Sequence, residues 1–424
     1  MLSAELTPAL NTTSTMFAKN RIGFMPGLFV AFRDELDAND LKKFIDLKSE
    51  EERADFVLNH VFIRDKFNNI RGIEGKDNAK AAKSREDGNK EFEVGNFKAA
   101  LVKYNMAACQ AKQQGGELSL ALANRSAVLQ RLKLFTKGVA DVDRALEAGY
   151  PQDKMFKLLE RKGLMLVELR KYDQARDCFS KAKKMVHNSS MNEAKIEKFV
   201  SDMDKQIDKI KDKKDSNDDI SEQKSPHRDK HSILQIQKPH PKYKSLDEAV
   251  EIKYTVDQGR FAVASRDIPA GTTILVEDPL GWTLEADHFS THCQHCLCEV
   301  SVPVPCRTCC SVVFCSDTCR DEAWTRYHAR ECGILALCVA AALNNFSIIA
   351  VRALARSHVA EVLRVARATC SPDIEHGTTS DKMGVYSGED IVTGLNLVHH
   401  SHTLSHEDQL MRTLGKFHPC FLRK

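Results

Sequence analysis

The sequence predicts a multidomain α+β protein: a helical solenoid, a β-rich segment interrupted by a cysteine-rich finger, then more helices. Three observations predict it. Small residues recur in register at steps of 38 and 37 between positions 83 and 185. β-branched residues gather around a Pro-Gly turn ahead of Glu277. Eight Cys and His residues in four close pairs lie between 293 and 332.

Each part follows from its residues. Residues 1–82 carry apolar residues at helical spacing, as in Phe56-Val57-Leu58, and read as a helical region without a diagnostic motif. Over 83–190 three units repeat. Gly88, Ser126 and Gly163 occupy one place, Ala100, Gly138 and Ala175 a second, and Ala107, Ala145 and Ala182 a third. The steps slightly exceed the ~34 of a tetratricopeptide array, and the Gln113-Gln114-Gly115-Gly116 insertion explains the first excess. Each unit reads as two antiparallel helices that approach closely at the small residues. Residues 191–214 (Ile196, Phe199, Met203, Ile207) supply a helix to cover the exposed end. Residues 215–244 are polar, charged and Pro-containing, and read as a flexible linker. Strands are expected from Ile252, over Phe261–Ser265 and Thr272–Glu277, the latter pair joined by a turn at Pro269-Ala270-Gly271. Residues 333–424 read as helices around a polar loop.

Composition limits the function. With 62 basic and 59 acidic residues the formal net charge is +3, which excludes a globally basic nucleic-acid binder, and no direct nucleic-acid contact is expected. The longest apolar run, Ile334 to Leu343, falls far short of the about 20 residues a span needs, so no membrane role is expected. Nine of the 14 cysteines lie between Cys293 and Cys332, a distribution that suits metal binding in a reducing compartment better than a disulfide scaffold.

The cluster reads Cys293, Cys296, Cys306, Cys309, Cys315, Cys319, His328 and Cys332, the donor set two tetrahedral zinc ions require. Cys310 could replace Cys309, and Cys298 could compete with Cys296. Few apolar residues lie here, so metal binding must supply the folding energy.

The ligand order, with Cys315-Ser316-Asp317-Thr318-Cys319, Ala323-Trp324 and Tyr327-His328, resembles a MYND zinc finger. That resemblance implies cross-bracing: one ion on Cys293, Cys296, Cys315 and Cys319, the other on Cys306, Cys309, His328 and Cys332. Residues 245–292, with Gln258-Gly259-Arg260-Phe261 and Asp267-Ile268-Pro269-Ala270-Gly271, resemble the first part of a SET domain split by the finger at 293–332. This order of parts is similar to the SET- and MYND-domain protein-lysine N-methyltransferases, of the type with tetratricopeptide repeats in front. The resemblance implies a protein substrate lysine, S-adenosylmethionine as cofactor, and cofactor contacts at Gln258, Gly259, Arg260 and His400. The family's Asn-His-x-Cys segment, its later Tyr and its post-SET cysteines have no match in these 424 residues. The expectation is therefore a chain that is incomplete before the catalytic core and inactive alone, with no catalytic residue assigned. Cytoplasmic and nuclear location is expected.

Arg85, Asn89, Asn124, Lys157 and Arg161 resemble the carboxylate clamp of tetratricopeptide domains that bind heat-shock chaperone C-terminal tails. Three cations and two amides can chelate a terminal carboxylate and a neighbouring acid. The alternative function is a non-catalytic adaptor that binds chaperone tails through the repeats and a Pro-containing peptide through the finger.

Overall fold

The computed structural model describes residues 31–47, 50–63, 75–215, 235–255, 257–340, 345–357 and Ser405. Most of the expected linker and all the helices expected beyond 357, His400 included, lie outside the described residues.

In chain order the helices begin with α1 (Ala38–Asp46) and α2 (Glu50–Asn59). The repeats are α3 (Asn78–Glu93), α4 (Phe97–Gln110), α5 (Glu117–Arg131), α6 (Phe135–Glu147), α7 (Met155–Glu168) and α8 (Tyr172–Met185). Then come α9 (Glu193–Ile210), β1 (Val250–Thr255), β2 (Gly259–Ala264), β3 (Val304–Pro305) and β4 (Val313–Phe314). Helix α10 (Asp317–Ala323) passes through a π-helical turn at Trp324–His328 into α11 (Ala329–Ala340), and α12 is Asn345–Arg356. These residues divide into two compact units. One holds 75–215 and 287–321; the other holds 31–63, 235–286, 322–340 and 345–357.

In the first unit α3 to α8 form three antiparallel pairs, as the repeat predicts. Asp77 starts α3 by accepting from the backbone N–H groups of Ala79 and Lys80. Gly95, at φ 79°, ends that helix in a left-handed conformation that costs glycine little. The recurring small residues mark close helix contacts. A Cβ added at Gly88 would stand 2.7 Å from the Tyr104 ring, and one at Gly163 would stand 2.4 Å from the Phe179 ring. Ala100, Ala107, Ala145, Ala175 and Ala182 are fully buried. Helix α9 covers the last pair by placing Met203 and Ile210 against Phe179 and Ala182, and Phe199 packs edge-on to Phe156.

In the second unit β1 and β2 form an antiparallel hairpin, in register from Val250 opposite Ala264 to Thr255 opposite Gly259. The segment Thr272–Glu277 is not a strand. It makes one bridge, Leu246 to Leu275, flanked by Asp247 N–H to Ile274 O and Val276 N–H to Ser245 O. A ladder needs a partner of matching length, and Ser245–Asp247 offers only a short one before the chain enters β1.

Candidate functional site

The finger is built from tight turns that aim sulfur inward. Leu297 takes a left-handed φ of 64°, and the Cys293 and Leu297 backbones close the first turn through Cys293 N–H to Cys298 O and Leu297 N–H to Cys293 O. Thr308 N–H donates to Cys306 Sγ. Ser316 Oγ accepts from Cys319 N–H and so starts α10 between two ligands.

Two groups of four ligand atoms result, each with all atoms within 4.8 Å of one another: Cys293, Cys296, Cys315 and Cys319, and Cys306, Cys309, His328 and Cys332. The pairing is the cross-braced one, with Cys296 and Cys309 in the groups rather than Cys298 and Cys310. In the first group the Cys296–Cys315 and Cys315–Cys319 sulfurs are 3.6 and 3.5 Å apart. Four thiolates at tetrahedral zinc bonds of about 2.3 Å would stand roughly 3.8 Å apart, so the donor set fits the ion with little adjustment. Hydrogen bonds from Cys296, Cys315 and Cys319 hold the Cys293 thiol below its ordinary range, while the same contacts push the Cys296 and Cys319 thiols up.

His328 has a built support. Its Nδ1 lies 3.3 Å from Glu331 Oε1, which leaves Nε2 for a metal. Arg352 donates to both Glu331 oxygens at 2.6 and 2.7 Å, and its guanidinium lies 4.0 Å from the Tyr327 ring centroid. Burial works to raise the Glu331 carboxyl, but His328 and Arg352 outweigh it and hold the group below the usual range. The sequence reading missed Glu331 and Arg352. Their signal was weak: an acid one turn past a ligand and one of two Arg residues in an otherwise largely apolar helix.

A second network ties the finger to the repeats within the first unit. Arg125, fully buried on α5, donates to Asp141 on α6 at 2.6 and 2.8 Å, to Asn105 at 3.1 Å and to the Pro303 carbonyl at 2.9 Å. Asn105 donates in turn to the Ser301 carbonyl. Arg144 bridges Asp141 and Asp317, at 2.8 and 2.7 Å. The finger's 302–305 segment is buried against this polar seam.

The five clamp positions fall on α3, α5 and α7, the first helix of each pair. Asn89 Oδ1 accepts from Tyr104 Oη at 2.7 Å and from Asn124 Nδ2 at 2.9 Å, leaving the Asn89 Nδ2 donors for a ligand. Arg161 Nη1 donates to the Ala123 carbonyl and to Ser126 Oγ, beside Asn124. Burial lowers the Arg161 guanidinium, partly offset by Tyr150, Glu160 and Tyr104. Lys157 is exposed, one turn before Arg161. Arg85 pairs with Glu117 at the start of α5, at 3.0 Å.

Gln258, exposed, lies in the β1–β2 turn, with Gly259 and Arg260 opening β2 opposite Thr255 and Tyr254. The hairpin brings these three together, and His400 lies outside the described residues.

Residues 293–332 match the MYND finger family. A chicken protein-lysine N-methyltransferase SMYD4 is 24% identical over 350 residues, 76% of this chain and 46% of that protein. The chain is thus similar to SET- and MYND-domain proteins of the SMYD4 type. Human SMYD4 is 24% identical over 277 residues, 61% of this chain and 34% of that protein. The chain thus spans less than half the length of these curated relatives. Among solved structures, the first tetratricopeptide domain of Spaghetti (RPAP3) bound to an HSP90 peptide is 19% identical, with a TM-score of 0.26, over 32% of this chain and 98% of that one. Among the described residues, no helix is long and apolar enough to cross a membrane.

Proposed function

We propose that these 424 residues are the zinc-ordered, tail-binding part of an S-adenosylmethionine-dependent protein-lysine methyltransferase. The observation that carries the reading is the joined inner face of α3, α5 and α7: Asn89 bonded to Asn124, Arg161 anchored beside it on Ser126, and Lys157 exposed one turn away. Two amides and fixed cations at that spacing suit a free terminal carboxylate with an acidic neighbour. The ligand in this reading is the acidic C-terminal tail of a heat-shock chaperone. The test is titration of the zinc-loaded chain with a peptide ending in Glu-Glu-Val-Asp. Micromolar binding is expected, and Arg161→Ala or Asn89→Ala should weaken it roughly tenfold or more, the cost of about 1.5–3 kcal/mol per charged contact. Equal binding by wild type and Lys157→Ala/Arg161→Ala would overturn the reading.

The cofactor belongs to the same proposal. S-adenosylmethionine would supply the methyl group. Gln258, Gly259 and Arg260 would hold one edge of it, where the missing Cβ of Gly259 permits close backbone approach, and His400 would add a second contact. Among the described residues the fit is to one wall, with Gln258 exposed in the hairpin turn. Methyl transfer requires an amine held in line with the methyl group in a closed site, and such orientation contributes about 7–11 kcal/mol. The 424-residue chain alone is therefore expected to show no turnover near that of a complete family member. Radiolabelled transfer to histone and cell-extract protein checks this, with Gly259→Trp as the blocked control; wild-type turnover that the control abolishes would contradict it. Reduced zinc thiolates suit the cytoplasm and nucleus, where this reading places the protein. A non-catalytic adaptor is the second reading, favoured by the finger–repeat network, which forms one unit without the hairpin.

A further inference from the structure

We propose that Glu117 is a specificity-determining residue of the repeat groove: it holds Arg85 from within and makes the groove disfavour tails with many acidic side chains. The inference rests on the acidic-tail reading above.

Glu117 is the first residue of α5, just after Gly116. A carboxylate in the first turn of a helix is stabilised by the free N–H groups there, so this anion is held in place. It faces a groove cation directly. Arg85 Nε lies 3.0 Å from Glu117 Oε2 and Nη2 lies 3.5 Å from Oε1, and the two side chains keep only 17% and 19% of their surface exposed. Arg85 sits one turn before Asn89, which is itself joined to Asn124. The pair is therefore part of the clamp face, not a remote surface bridge. Only Nη1 of the guanidinium is left out of the pair, so a ligand carboxylate can share Arg85 but must approach the Glu117 carboxylate to do so. The three clamp cations, Arg85, Lys157 and Arg161, thus present a net charge nearer two than three. A single terminal carboxylate can settle on the amides and the Lys157–Arg161 end. Each further acidic side chain meets the repulsion of Glu117.

The test is a titration of the zinc-loaded full chain, wild type and Glu117→Gln, with two peptides at 50 mM and 500 mM salt. One ends in Glu-Glu-Val-Asp and the other in Gln-Gln-Val-Asp. At low salt Glu117→Gln is expected to bind the first peptide roughly threefold to fivefold more tightly, with a smaller gain for the second and little at high salt. Arg85→Ala should cost more on the Glu117→Gln background than on wild type, since only there is the whole fork available to the ligand. Glu117→Ala, which should act in the same direction, guards against a disturbed helix start. Unchanged or weaker binding by both Glu117 variants, or an equal gain for both peptides, would overturn the inference and leave the tail reading standing. Failure of wild type and variants alike to bind either peptide would overturn both.

Discussion

Replacing Arg125 with alanine is expected to destabilise the chain by about 3–5 kcal/mol, the range for removing one partner of a buried ion pair. Arg125 and Asp141 are both fully buried, and the guanidinium satisfies Asp141, Asn105 and the Pro303 carbonyl at once. The truncation leaves Asp141 with Arg144 alone, and Asn105 and the Pro303 carbonyl short of a donor. Each unsatisfied buried group adds about 1–3 kcal/mol. Lysine should not rescue it, because one ammonium cannot reproduce the two-pronged contact with Asp141. The comparison is Lys137→Ala, an exposed contact to Ser301, where the loss should stay under about 0.5 kcal/mol. Denaturant unfolding of the zinc-loaded chain measures both. A loss below about 1 kcal/mol for Arg125→Ala would show that the seam between finger and repeats is not closed in solution.

Zinc removal is expected to have the largest effect of all. Metal analysis in reducing buffer should give two ions per chain, and chelation should unfold residues 293–332. Between Cys293 and Cys332 the finger has β3 and β4, of two residues each, α10, the π-helical turn and the first turn of α11, so the metal bonds hold together what these short elements cannot. Structural zinc contributes about 10–16 kcal/mol to such domains at neutral pH. The effect should spread. The backbone carbonyls of Ser301 and Pro303, which satisfy Asn105 and Arg125, are positioned by the finger, so the repeats should melt at a lower temperature without zinc. Cys309→Ser should lower the stoichiometry while Cys310→Ser leaves it at two, because the second group takes Cys309. One ion or none in the wild type would contradict the assignment.

The repeats were legible because their signal is local and periodic. Gly88, Ala100 and Ala107 recur as Gly163, Ala175 and Ala182 because each hairpin must let an aromatic ring or a facing helix in at the same place. The zinc ligands were legible for a related reason: pairs three or four residues apart are the chemistry itself. What spacing left open, Cys309 against Cys310, the folded geometry places on Cys309. The polar supports were not legible. Asn105 and Ser301 are 196 positions apart, and Glu331 and Arg352 are 21 apart on different helices, so no spacing announces either pair. Glu117 was hidden in the same way, 32 positions from the arginine it holds. The strand expected at Thr272–Glu277 failed because propensity describes one segment, while a strand needs two.

The most direct test of the account concerns the ligand's own carboxylate. Two peptides ending in Glu-Glu-Val-Asp, one with a free C-terminus and one amidated, should be titrated into the zinc-loaded chain. The clamp on Asn89, Asn124 and Arg161 predicts micromolar binding of the free acid and at least tenfold weaker binding of the amide. Equal affinity for the two peptides would contradict it.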